Sequence, residues 1–153
     1  MEIIRCCQTS DLAGVRELYA ELRPHDPVLS DLQATKCWQD ILSSPHTKII
    51  VADIDGVLAS TCQLGLVPTM TNGGQPFAII EHVITSAKYR RRGLSQKVIE
   101  KALSLAWDMG CYKVMLLSGE NRPEAHHLYE KVGFQSGIER GFVIKKPVNA
   151  GPG

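Results

Sequence analysis

Apolar and polar positions along this chain follow two different periods, and the switches between them divide it into elements. Ile3-Ile4-Arg5-Cys6-Cys7 reads as a first strand. Leu12, Val15, Leu18, Tyr19 and Leu22 recur at helical spacing behind Ser10 or Asp11 as a cap. Pro24-His25-Asp26-Pro27 breaks that helix. A second helix runs from Ser30 to Leu42, with Leu32, Trp38, Ile41 and Leu42 as its apolar positions, and stops at Ser43-Ser44-Pro45. Lys48–Ala52 and Val57–Cys62 flank Asp55-Gly56, a tight-hairpin signal. A loop from Pro68 to Pro76 leads into a strand, Ala78–Thr85, that is apolar or β-branched except at Glu81 and His82. Leu94, Val98, Ala102, Leu105 and Met109 mark an amphipathic helix, Tyr112–Leu117 another strand, and a last short helix closes at Gly133 as its C-cap. Phe134 to Lys145, with turns at Gly137 and Gly141, predicts a final hairpin, and residues 149–153 a frayed tail.

This order predicts an α/β protein: a mixed, mostly antiparallel central sheet with helices on both faces. A length of 153 residues suits one domain, here residues 1–148, around a single core. Hydrophobic content of 44% and charged content of 22% are those of an ordinary soluble domain. A net charge of +1 gives no reason to expect nucleic acid or an anionic membrane as partner. The longest uncharged stretch, Gly56 to Ile80, is interrupted by Pro68, Asn72-Gly73-Gly74 and Pro76, so it reads as strands and a loop rather than a membrane span. Met1-Glu2-Ile3-Ile4-Arg5 lacks the pattern of a secretory signal. The five cysteines are scattered and form no C-x-x-C. Neither a disulfide framework nor a metal site is expected, and reduced thiols in a cytoplasmic protein are the simplest reading. Cys111 opens a core strand. Assembly as a homodimer is compatible with the sequence and not required by it.

Candidate chemistry begins at Arg90-Arg91-Arg92-Gly93-Leu94-Ser95, a basic, glycine-containing turn between a strand and a helix start. The first turn of a helix carries unpaired N–H donors and the positive end of the dipole, so such a junction accepts anions. Charge pattern alone also fits a solvated face. The dinucleotide fingerprint G-x-G-x-x-G and the P-loop are both absent. A second segment adds to the first. Beyond Ser118-Gly119-Glu120-Asn121-Arg122-Pro123 come Ala125, Tyr129, Gly133 and Phe134, spaced A-x-x-x-Y-x-x-x-G-F.

Together the two segments resemble the GNAT superfamily of acyl-CoA N-acyltransferases. Arg90, Gly93 and Ser95 stand where that family has its pyrophosphate signature, with Ser95 in place of the usual Gly or Ala. The resemblance spans residues 77–135, where the local sequence is similar to glucosamine-phosphate N-acetyltransferases. It implies acetyl-CoA as cosubstrate and a sheet whose two central parallel strands splay apart to admit the pantetheine arm. It further implies backbone contacts to that arm from Val83, Ile84 and Thr85, and to the pyrophosphate from Arg90, Arg91, Arg92, Gly93, Leu94, Ser95 and Gln96. The resemblance also makes Asn121, one residue before the position where the family often has Asn, an expected cofactor contact.

Acetyl transfer to an amine requires a neutral amine, a polarised thioester, close approach, and a proton for the departing thiolate. The resemblance makes Tyr129 the proton donor; its bland alternative is a core tyrosine on an amphipathic helix. Glu81 breaks an apolar run, so it either faces solvent or binds and deprotonates the amine. His82 has a neutral form suited to the same work, but on a regular strand it points away from Glu81 unless a bulge re-aims one of them. His25, Asp26 and Asp31 read as a polar loop near the acceptor pocket, and His126-His127 as surface residues. The expected activity is direct transfer of acetyl from acetyl-CoA to a primary amine of a small molecule. Acetylation of a peptide or protein N-terminus and a non-catalytic CoA-binding regulatory module are the alternatives.

Overall fold

The computed structural model describes residues 1–148; the tail expected at 149–153 lies outside the described residues. Nine principal elements follow in chain order: β1 (Glu2–Cys6), α1 (Leu12–Leu22), α2 (Asp31–Ser43), β2 (Thr47–Ile54), β3 (Val57–Val67), β4 (Phe77–Thr85), α3 (Leu94–Asp108), β5 (Val114–Leu116) and α4 (Pro123–Val132). The sheet runs β1-β2-β3-β4-β5. Its first three pairings are antiparallel and the last, β4 with β5, is parallel. This is the mixed, mostly antiparallel sheet that the sequence predicts.

Alternation on β2 shows why helices cover both faces. Ile50 and Ala52 face a core built with Leu94, Val98, Ile99, Ala102 and Ala106 of α3. Ile49 and Val51 point the other way, against Val15 of α1 and Trp38 of α2. All four strand residues are buried, so the run reads as continuously apolar. Asp55 and Gly56, at φ of 51° and 89°, make the two-residue turn between β2 and β3. Cys111 is a buried core residue, as expected, but it does not open a strand: β5 begins only at Val114.

The helix starts differ in detail from the expectation. A 3₁₀ turn at Thr9–Asp11 precedes α1, and neither Ser10 nor Asp11 caps it through a side chain. The Asp11 carboxylate instead accepts from the Arg5 guanidinium at 2.7 Å and from the Gln8 N–H at 2.6 Å. Ser30 caps α2 in a reciprocal box: its Oγ accepts from Gln33 N–H, while Gln33 Oε1 accepts from Ser30 N–H. Leu32 does not join the core of α2. It is exposed, and Ala34 and Trp38 carry the inward face.

The final hairpin expected over Phe134–Lys145 is not formed; these residues have no strand. Residues 134–141 run beside β5 at a distance, leaving a cavity of about 750 Å³ between them. With β5 only three residues long and its outer edge unpaired, no ladder forms to hold a strand there.

Candidate active site

The site is made where β4 and β5 part. Their pairing covers only Ala78–Val114, Ile79–Met115 and Ile80–Leu116. β4 then continues to Thr85 with no neighbour on that side. The cause lies in β4 itself. Gln63 pairs with Glu81 and Thr61 with Ile84, so Cys62 opposes both His82 and Val83. His82, at φ of 55°, is the bulged residue. The bulge brings Glu81 and His82, which a regular strand would send to opposite faces, onto one cleft of about 260 Å³. Val83, Leu116, Ser118 and Tyr129 line it too, with Arg23 and Arg122 at its polar edge. His82 Nδ1 lies 3.4 Å from Gln63 Oε1, and its ring packs against Tyr19 at 5.7 Å.

Tyr129 owes its position to the end of α4. The Phe134 N–H donates to the Tyr129 carbonyl and the Gly133 N–H to the Glu130 carbonyl, both at 3.0 Å. This is a Schellman cap, with Gly133 at φ of 120°. The apolar contact that completes such a cap is the Phe134 ring, edge-on to Tyr129 at 6.3 Å. The spacing Y-x-x-x-G-F therefore has a direct physical meaning: Gly133 and Phe134 fix the tyrosine. Burial pushes the Tyr129 hydroxyl above the ordinary phenol value, with the Arg122 charge pulling weakly the other way. The phenol keeps its proton at neutral pH.

The basic turn sits at the far end of β4. Its backbone carries two left-handed residues, Arg91 at φ of 67° and Gly93 at 71°. Gly93 is the N-cap of α3 and offers no side-chain cap. Within the helix, Lys97 N–H is the first amide to find an acceptor, the Gly93 carbonyl at 3.1 Å. A Cβ added at Gly93 would meet nothing within 4 Å. The glycine is thus required by its φ, and the space beside it is open. Unpaired amides at a helix start, ahead of an open space and among three arginines, suit a pyrophosphate.

Three contacts that the sequence did not reveal brace this turn, one of them to the sheet. Ser60, Thr85 and Ser95 form a hydroxyl chain, with Ser60 Oγ 2.8 Å from Thr85 Oγ1 and Thr85 Oγ1 2.6 Å from Ser95 Oγ. Ser95 is therefore more than a small residue that leaves room; it bolts α3 to β4. The Glu21 carboxylate accepts from Ser86 Oγ at 2.9 Å and Ala87 N–H at 3.1 Å, joining α1 to the turn. The Arg92 guanidinium stacks over Tyr89 at 5.2 Å. Among the other expected residues, Val83 lines the cleft, and Ile84 and Thr85 follow it on the unpaired stretch of β4. Asn121 is exposed and does not line the cleft, whereas its neighbour Arg122 does. His126 is half-buried, not a free surface residue, and its Nε2 lies 2.7 Å from the Gly119 carbonyl, closing the loop before α4.

A strand pair that opens at a bulge, a bare helix start beyond it and a tyrosine lining the cleft between them are the arrangement that an acyltransferase requires. The family model described as "Acetyltransferase (GNAT) family" matches residues 12–134, and the chain belongs to that family. With membership comes the cosubstrate expected from the motifs, acetyl-CoA, and the activity of an N-acetyltransferase. A glucosamine 6-phosphate N-acetyltransferase of Trypanosoma brucei brucei is 29% identical over 133 residues, covering 87% of this chain and 88% of that protein. A probable glucosamine 6-phosphate N-acetyltransferase 2 of Oryza sativa subsp. japonica is 30% identical over 75% of this chain and 69% of its own length. A solved structure from Agrobacterium tumefaciens str. C58, described as an acetyltransferase, superposes with a TM-score of 0.89 at 37% identity, covering 94% of this chain and 99% of that one.

Proposed function

We propose that this chain, as a single catalytic domain over residues 1–148, acetylates the primary amine of a small molecule that also carries an anionic group. The observation that carries this reading is the meeting of Glu81, Tyr129, Arg23 and Arg122 around one cleft at the parting of β4 and β5. Acetyl-CoA supplies a thioester acetyl group. Its pyrophosphate is held by the amides of Arg91 to Gln96, with Arg90, Arg91 and Arg92 adding charge. The pantetheine arm lies along the unpaired stretch of β4 at Val83, Ile84 and Thr85. Glu81 binds the acceptor's ammonium and takes its proton, directly or through water. Tyr129, kept protonated by burial, donates to the departing sulfur. Arg122, with Arg23 through the guanidinium nitrogens that its 2.6 Å pair with Asp26 leaves free, attracts the acceptor's anionic group, and the names of the trypanosome and rice relatives point to an amino-sugar phosphate.

The five thiols are all free, which suits a cytoplasmic enzyme, and no described helix is long and apolar enough to cross a membrane. The test is CoA release across a panel of acceptors: glucosamine 6-phosphate, glucosamine, an aminoglycoside and a peptide with a free N-terminus. The expected result is the highest kcat/KM for the phosphorylated amine, falling at least tenfold without the phosphate. Equal rates with and without phosphate would remove the anionic-group reading. Preference for the peptide would favour the N-terminal acetyltransferase, and binding of CoA with no turnover the regulatory module.

A further inference from the structure

The turn between β4 and α3 begins with a cap that its own sequence does not supply. Ser86 precedes a 3₁₀ turn, Ala87–Tyr89, and a serine in that place ordinarily caps with its own hydroxyl. Here its side chain caps nothing. Ser86 Oγ donates instead to Glu21 Oε1 at 2.9 Å, and Glu21 Oε2 accepts from Ala87 N–H, the first amide of the turn, at 3.1 Å. Each carboxylate oxygen takes one donor. The cap thus comes from α1, 65 residues away in sequence.

The basic turn is built outward from this point. Ser86 is buried; its N–H donates to the Ala59 carbonyl at 2.8 Å, and its carbonyl accepts from Tyr89 N–H at 2.9 Å. The Tyr89 ring then carries the Arg92 guanidinium, and Arg92 adjoins Gly93, the N-cap of α3. The bond to Ala59 fixes where Ser86 sits, and a single bond leaves the chain free to swing about it. The two bonds to Glu21 fix the direction in which Ala87 leaves β4. The same helix brings Arg23 to the edge of the cleft and packs Tyr19 on His82, so both halves of the site rest on α1.

Charge alone gives the opposite expectation. A carboxylate near a site for a diphosphate repels the ligand, but through water and salt that repulsion amounts to about twofold in affinity. One net hydrogen bond corresponds to roughly fivefold, so two of them outweigh the repulsion. Removing Glu21 therefore separates a positional role from an electrostatic one by the sign of the change.

We propose that Glu21 is a positioning residue for acetyl-CoA: it sets the path of the chain out of β4 and so aims the amides of Arg91 to Gln96. The inference rests on the reading of that turn as the pyrophosphate cradle.

Calorimetry with acetyl-CoA on the purified full chain tests it. Glu21→Ala removes both bonds and is expected to weaken acetyl-CoA at least fivefold, with circular dichroism unchanged because the residue is exposed. Glu21→Gln can keep both bonds, with Oε1 accepting from Ala87 N–H and Nε2 donating to Ser86 Oγ. It is expected to return the affinity to within about twofold of wild type. Ser86→Ala breaks one bond and should fall between the two, and combining it with Glu21→Ala should add less than about twofold to the loss from Glu21→Ala alone. Unchanged or tighter binding by Glu21→Ala, an equal loss in Glu21→Gln, or additive losses in the double variant would each overturn the proposal. Gly93→Glu separates the two levels of the reading. Normal binding by that variant would remove the cradle and the role of Glu21 together. Abolished binding there, with Glu21→Ala unchanged, would remove the role of Glu21 alone.

Discussion

Replacing Tyr129 by phenylalanine removes one oxygen and leaves the rest of the local structure in place. The ring contact to Phe134 at 6.3 Å needs no hydroxyl. The Schellman bonds from Gly133 and Phe134 are backbone bonds and are indifferent to the side chain. Stability is therefore expected to change by no more than about 1 kcal/mol. The rate is a different matter. A general acid contributes ~100- to 10,000-fold, equivalent to about 3–5 kcal/mol of barrier. With the proposed cradle for acetyl-CoA lying on other elements, the loss should fall on kcat and spare the KM for acetyl-CoA. The pH profile gives a second readout. Burial raises the Tyr129 hydroxyl above its usual ~10, so any loss of rate from its deprotonation lies above that pH in wild type and is absent in the variant. Thiol release at saturating amine, followed from pH 6 to 10.5, measures both. A variant within threefold of wild type would refute the general-acid role and leave the thiolate to be protonated by water.

Glu81→Gln keeps the side chain's size and loses its charge; acetyl-CoA affinity should survive while acceptor kcat/KM falls at least tenfold, with the acidic limb flattened if Glu81 takes the proton. A rise in acceptor KM alone, with the limb unmoved, would make Glu81 a binding residue. Gly93→Glu should abolish acetyl-CoA binding in calorimetry. Gly93→Ala, at φ of 71° with open space around it, should cost only about 1–2 kcal/mol of stability, so a folded Gly93→Glu protein that still binds normally would sink the phosphate assignment. Arg5 holds the buried Asp11 carboxyl below its ordinary value. The folded pKa is thus lower than the unfolded one, and the stability gained is present above the unfolded value near ~4 and lost as pH falls through the folded one. Asp11→Asn should cost about 2 kcal/mol at pH 7 by thermal melting, and the gap to wild type should narrow below about pH 4.

Where one residue pattern determined the local backbone, the sequence was readable. Asp55-Gly56 permits the positive φ of a hairpin turn, and Gly133-Phe134 encodes a helix cap that aims Tyr129. Structure set by long-range partners was not readable in this way. The bulge at His82 carries no glycine or proline; it exists because Cys62 faces two residues across the ladder. Glu21 and Ser60 reach the base of the basic turn, at Ser86 and Thr85, from α1 and β3, over 65 and 25 residues of sequence, and no local spacing announces them. Phe134–Lys145 alternates well enough to predict strands, yet a strand needs a neighbour, and within one chain β5 does not supply it.

The central claim is that acetyl-CoA lies along the unpaired stretch of β4 and ends on the amides of the Arg91–Gln96 turn. Hydrogen–deuterium exchange with and without acetyl-CoA reads those amides directly. Lacking internal acceptors, they should exchange rapidly in the free protein. On addition of acetyl-CoA, slowed exchange is expected at Arg91 to Gln96 and at Val83 to Thr85, with little change at β1 or α2. Exchange that is unchanged in both segments at saturating acetyl-CoA, or protection confined to residues 134–141, would contradict it.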